Sequence, residues 1–144
     1  MIRLVDRFID RITMYRLVLW YLVVLLIAAA LLGTLHVIAI NPVALALSTV
    51  LVLSAGWIAN QMFARIFGAI PNIESVYITG LIILLIMDPA SLGDLAAAGA
   101  IVLASAWAMA SKFILSVRRR HIFNPAARGV ALPGLLLNHP ATWW

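Results

Sequence analysis

The chain has 144 residues, of which 65% are hydrophobic and only 10% are charged. A soluble domain carries about 45–50% apolar and about 25% charged residues, so the composition expects lipid as solvent and excludes an ordinary water-soluble globule. The formal net charge is +5, from ten Lys and Arg against five Asp and Glu. These basic residues cluster between hydrophobic runs, where they bear on membrane orientation and point to no nucleic-acid partner. Cysteine is absent, which excludes disulfides, Cys-ligated zinc and Cys-ligated iron–sulfur clusters within this chain.

Residues 1–16 interleave Arg3, Asp6, Arg7, Asp10, Arg11 and Arg16 with Ile2, Val5, Ile9, Ile12 and Tyr15. The spacing predicts a short amphipathic helix in the membrane interface, ahead of a membrane domain over 17–144. The first long run, Leu17 to Ile40, holds no ionisable residue except His36 and is long enough to cross a hydrocarbon core about 30 Å thick. It is too long for the apolar core of a signal peptide, and further membrane segments follow. Asn41-Pro42 reads as a tight turn, and the second run covers about 43–67.

The third segment, 74–87, follows Pro71-Asn72 and stops at Asp88-Pro89. As a helix it reaches about 21 Å, short of a crossing. The fourth run, 92–117, is rich in Ala and carries Gly99, Ser105 and Ser111. Small residues let helices approach closely in lipid, so this helix belongs inside a bundle. Arg118-Arg119-Arg120-His121 leads to the fifth segment, 124–137, which starts at Asn124-Pro125 and is interrupted by Pro133-Gly134. The fold class expected is an all-α polytopic membrane protein of about five segments, two of them short or broken.

With the amino terminus in the cytoplasm, Arg3, Arg7, Arg11, Arg16, Arg65, Lys112, Arg118 to Arg120 and Arg128 all fall on the inner side. The two outer connections carry Asp88 and Asp94 and no Lys or Arg. This asymmetry is the positive-inside pattern, and it predicts an integral protein of a bacterial cytoplasmic membrane.

The two short segments mark the candidate site. A half-helix leaves its first amide groups without partners and partly positive. Inside a bilayer those donors need a protein group or an electron-rich ligand. Asn72, Ser75, Thr79 and Asn124 add hydrogen-bonding side chains, and Glu74 is an ionisable group that is costly there unless it pairs or caps. The structural alternative is that Asn72 and Glu74 only cap a helix. Arg118 to Arg120 read as topology and headgroup residues, the five Trp as interfacial or packing residues, and Asp88 and Asp94 as loop and cap. His36 and His139 are too isolated to read as a haem pair. No nucleophile with a base, paired carboxylates, Walker loop or dinucleotide glycine motif is present, so no self-contained enzyme is indicated.

Two stretches are familiar. NIESVYITGLIILLIMDP (72–89) and SKFILSVRRRHIFNPAARG (111–129), with the Ala-rich helix between them, resemble the NqrB/RnfD family of membrane proteins. The likeness is equal to NqrB of the sodium-pumping NADH:quinone reductase and to RnfD of the Rnf electron-transport complex. It is strongest to small relatives attached to ferredoxin-reductase-like flavin modules. The resemblance covers roughly residues 40–144. It implies one repeat of the urea-transporter-like fold, whose full form has two inverted repeats of five segments. This chain would then be a fragment, a natural half that dimerises, or one part of a split protein. It also implies flavin (FMN or riboflavin), electron transport coupled in some members to ion transport, and a flavin or iron–sulfur reductase as partner. Larger members carry FMN on a Thr of a Ser-Gly-Ala-Thr motif. The comparable place here reads His139-Pro140-Ala141-Thr142, which offers Thr142 without the usual Ser-Gly. The functional expectation is a membrane subunit of a flavin-linked electron-transport complex. The alternatives are one half of a transporter or channel for a flavin- or urea-like solute, and a membrane anchor for a soluble reductase.

The topology has a direct test, because a chain without cysteine accepts single reporters. Arg65→Cys is expected to react with a membrane-impermeant maleimide only after the cell is opened, and Ser91→Cys in intact cells. The reverse pattern would overturn the orientation.

Overall fold

The structure is a computed structural model, and it describes residues 14–71, 73–114, 116–117, 120–121 and 124–137. The interfacial helix expected over 1–16 falls almost wholly outside these residues. Among the described residues five helices form in chain order: α1 (Met14–Thr34), α2 (Pro42–Ile66), α3 (Ile73–Ile86), α4 (Leu95–Ile114) and α5 (Pro125–Leu136). Between α4 and α5 the backbone of 116–117 pairs antiparallel with 120–121, Ser116 opposite His121 and Val117 opposite Arg120. Helices α1, α2 and α4 are long and apolar enough to cross a membrane, and α3 is a shorter apolar helix.

The helix ends follow local chemistry. Asn41 accepts a hydrogen bond from the Val43 amide at 2.9 Å, and Pro42 opens α2 where no amide partner is needed. Asp94 accepts from the Ala97 amide at 3.0 Å and caps α4, which therefore begins three residues later than the apolar run. Helix α1 ends at Thr34, six residues before the apolar run does. The chain turns back there, with His36 left-handed at φ 56°, and residues 35–40 fold over Gly33. A Cβ on Gly33 would lie 2.6 Å from the Ile40 carbonyl oxygen, so the return needs glycine at that place. The break expected at Pro133-Gly134 does not occur, and α5 continues to Leu136. Pro133 forfeits only the bond to the Gly129 carbonyl, and its ring is fully buried against the core.

The packing has two layers of contact. Val52, Val76, Ile83, Ile101, Ala104, Ala108, Met109 and Val130 form a core shared by α2, α3, α4 and α5. Leu22, Ala29, Ile40, Leu45, Leu81 and Leu84 form a second core between α1, α2 and α3. Helix α3 lies between the two and buries Val76, Thr79, Gly80, Leu81, Ile83 and Leu84. The outward faces are apolar too: Val18, Trp20, Tyr21, Val24, Ile27 and Leu31 on α1 are exposed. Such a continuous apolar surface is a liability in water and a natural contact with lipid acyl chains.

Small residues set the helix spacing, as the Ala-rich run predicts. Ala100, Ala104, Ser105 and Ala108 are wholly buried, and α4 packs against α2, α3 and α5. Gly99, grouped with Ser105 and Ser111 in the sequence, is instead exposed with open space around it. The closest approach is at Gly129 of α5, where an added Cβ would lie 2.6 Å from the Ala104 carbonyl oxygen and 2.8 Å from Ala108 Cβ. Polar cross-links are few and short. Ser105 Oγ donates to the Val52 carbonyl at 2.7 Å, and the Ala90 amide donates to Ser48 Oγ at 2.8 Å. Each such bond contributes on the order of 0.6 kcal/mol in a membrane bundle.

Gly129→Val is expected to lower stability in detergent by about 1–3 kcal/mol through overpacking. Gly99→Ala is expected to be neutral or to stabilise by about 0.5–1 kcal/mol, because a helix-interior glycine is relieved in open space. Thermal unfolding of the two variants beside the parent chain checks both.

Candidate functional site

The bundle has two chemically distinct ends. Arg16, Arg65, Glu74 and Lys112 lie at one, here termed the basic end; Asp88 and Asp94 lie at the other, the acidic end. Helix α3 runs from the basic end to the acidic end, and α4 runs the opposite way. At 14 and 12 residues, α3 and α5 reach about 21 Å and about 18 Å, so both stop short of a 30 Å core.

The first two turns of α3 hold three of the residues predicted from sequence. Glu74 is half exposed and accepts from Arg16 Nε of α1 at 3.4 Å, across 58 positions in the chain. A pair this long and this exposed contributes well under about 1 kcal/mol, and its main effect is to hold the carboxylate on the α1 side. Thr79 is buried, and its hydroxyl donates to the Ser75 carbonyl at 2.7 Å. Ser75 accepts at both its carbonyl and its hydroxyl oxygen from Lys112 Nζ of α4, each at 3.0 Å.

Asn124 behaves as a cap. Its side chain accepts from the Ala126 amide at 3.0 Å, with Pro125 in the first helical position. Among the described residues no hydrogen bond joins Asn124 to Glu74, Ser75 or Thr79. The predicted set is thus divided: Glu74, Ser75 and Thr79 gather on α3, and Asn124 serves its own helix. Asn72 and Thr142 lie outside the described residues, as does His139.

Two residues not singled out by sequence complete the arrangement. Lys112 is 9% exposed, and its ammonium also contacts Met109 Sδ at 3.4 Å. No carboxylate of the described residues lies within ion-pair distance of it. Asn60 of α2 is 3% exposed, and its Nδ2 has no hydrogen-bond partner. Both were legible in part. The buried positions of α4 include 101, 104, 105, 108 and 109, and 112 continues that helical stripe. The buried positions of α2 include 45, 48, 52, 56 and 59, and 60 falls on the same face. Beyond them Phe113 of α4 stacks between Phe63 and Phe67 of α2, with centroids 6.2 and 6.0 Å away.

Two open clefts lie at the acidic end. A space of about 530 Å³ at the acidic end is lined by residues 38–41, Ala44, Asp88, Pro89 and Ser91. A second, of about 360 Å³, adjoins it beside Gly33 and His36. Both arise where residues 35–40 turn back, and neither includes a residue of the α3 first turn. The chemistry of an uncompensated ammonium and an unpaired amide belongs to the basic end. No protein-family model, curated protein or solved structure matches this chain.

Asn124→Ala is expected to cost about 1 kcal/mol of stability, and Asn124→Asp to restore it, because a cap needs only an accepting side-chain oxygen. Chemical or thermal unfolding in detergent reads the difference. A ligand-holding role would instead alter ligand affinity at unchanged stability.

Proposed function

We propose that the chain is a membrane subunit of a flavin-linked electron-transport complex, with its basic end on the cytoplasmic side. The observation that carries this reading is the start of α3, where a helix too short to cross begins beside a buried, uncompensated Lys112. The resemblance to the membrane proteins of the sodium-pumping reductase and the Rnf complex falls on the same elements, since residues 72–89 contain α3 and 111–129 contain Lys112 and the start of α5. On this reading the five helices correspond to one repeat of a urea-transporter-like fold, completed by a second copy or another chain.

The residues fit an electron-rich cofactor. Asn60 Nδ2 is a buried donor without a partner, Lys112 is a buried cation, and the positive end of α3 adds to the same field. A flavin held there would supply the one- and two-electron chemistry. The chain's own contribution is position and electrostatics: Lys112 and Asn60 favour an electron-rich group, and Thr79 and Ser75 hold the first turn of α3 in place. Arg65 and Arg16, exposed on the rim, offer a basic face to an acidic reductase partner.

A second reading has an observation of its own. Asn124 and Thr79 are engaged in bonds within their own helices, as in a scaffold that anchors a soluble reductase and binds no cofactor.

The chain purified in mild detergent is expected to carry yellow flavin absorbance, released by denaturation and reduced in Lys112→Met. Colourless protein that still retains a reductase partner would favour the anchor.

A further inference from the structure

Helices α2, α3 and α4 meet at the basic end, and among the described residues no carboxylate lies within ion-pair distance of the cation in the seam between them. Gly56 of α2 fixes the direction of that seam: a Cβ there would lie 2.8 Å from Ser105 Oγ, 3.3 Å from Val76 Cγ1 and 4.0 Å from Met109 Cγ. Asn60 follows Gly56 by one helical turn on the same face, so its side chain enters the seam between α3 and α4 one turn nearer the basic end. Lys112 follows Met109 by three residues on α4, touches its sulfur, and reaches Ser75 in the first turn of α3. Asn60 and Lys112 therefore occupy the same level of the same seam.

That level carries a positive charge, an unpartnered amide donor and the positive end of a 14-residue helix. A cation set against a helix N-terminus is unfavourable, and a buried cation is costly unless an anion meets it. Of the described acids, Glu74 in the first turn of α3 is turned to Arg16 on α1, Asp88 and Asp94 lie at the other end of the bundle, and Arg65 on α2 adds only positive charge. The first turn of α3 gives access, since Ile73 is 44% exposed and the Glu74 side chain 43%.

We propose that this seam binds a phosphate group, gripped by Lys112 Nζ and Asn60 Nδ2 at the start of α3. Phosphate supplies several accepting oxygens and at least one negative charge, which is the complement of an ammonium, an amide donor and a helix N-terminus. The depth is suitable, because Lys112 lies two residues from the end of α4, at the level where a membrane helix meets the headgroups. Two sources supply such a phosphate, FMN and an anionic phospholipid. The first rests on the flavin reading above, and it would select FMN over riboflavin; the second does not depend on that reading.

The test uses the full chain in neutral detergent, titrated with FMN and with riboflavin, and separately assayed for retained phosphatidylglycerol after exposure to mixed phosphatidylcholine–phosphatidylglycerol vesicles. Variants are Lys112→Met, Lys112→Arg and Asn60→Asp, with circular dichroism confirming the helices. The expected result is FMN bound roughly tenfold or more tightly than riboflavin, competed by inorganic phosphate, with the preference lost in Lys112→Met and kept in Lys112→Arg. Asn60→Asp is expected to remove phosphate binding while preserving or raising the melting temperature, since it places an internal anion beside Lys112. No flavin binding, with phosphatidylglycerol retained by the parent and lost in Lys112→Met and Asn60→Asp, would support the phosphate site and overturn its link to flavin. Equal binding of FMN and riboflavin, indifferent to all three variants, would overturn the phosphate site and leave the flavin reading standing. No binding of FMN, riboflavin or phosphatidylglycerol by the parent chain would overturn both.

Discussion

A peptide amide or carbonyl in hydrocarbon has no water to bond, so every backbone group at membrane depth needs a partner inside the protein. Long helices meet this demand by themselves over most of their length. Helices α3 and α5 are shorter than a crossing, and the first-turn amides of each need partners from outside the helix ladder. The surroundings of those two starts depend on this demand. Asn124 accepts from a first-turn amide of α5, whereas at α3 Thr79 Oγ1 and Lys112 Nζ both donate to the Ser75 carbonyl.

Placing those starts requires close helix packing. The Ala-rich face of α4 and Gly129 of α5 let the two helices approach until a single Cβ would collide with the Ala104 carbonyl. This contact sets α5 against α4, and α4 in turn carries Lys112 to α3. Serine side chains then satisfy single backbone groups between helices, as Ser105 does for Val52 and Ser48 for Ala90. The apolar packing and the polar site are thus consequences of one arrangement. A methyl group added at Gly129 would disturb both.

The two ends of the bundle divide the chemistry. At the acidic end the chain folds over Gly33 and leaves open clefts lined mainly by apolar groups. At the basic end Phe63, Phe67 and Phe113 stack together, and among the described residues the same end holds an ammonium without a carboxylate in ion-pair distance and an amide nitrogen without an acceptor. These two clefts and that unsatisfied polarity lie at opposite ends of α3. For recognition of an anionic or electron-rich group the second matters more, since a buried polar group without a partner is costly until a ligand supplies one.

Much of the architecture was legible in the chain itself. Uninterrupted apolar runs announce helices α1, α2 and α4, Asn-Pro pairs announce the starts of α2 and α5, and Asp94 announces the cap of α4, because each is a local matter of hydrophobic length or side-chain capping. The shortness of α3 and α5, and with it the interest of Glu74, Ser75 and Thr79, could also be read from residue counts. The end of α1 could not, since apolar residues continue past Thr34 and only the fold-back onto Gly33 stops the helix. Nor could the passage of α5 through Pro133, which depends on burial of the ring in the core. The partners of the polar groups were least accessible of all. Lys112 reads as one more positive charge and Asn60 as one polar residue in an apolar run, until α2, α3 and α4 pack together. Which side chain meets which depends on helix rotation and spacing, and those are properties of the assembled bundle alone.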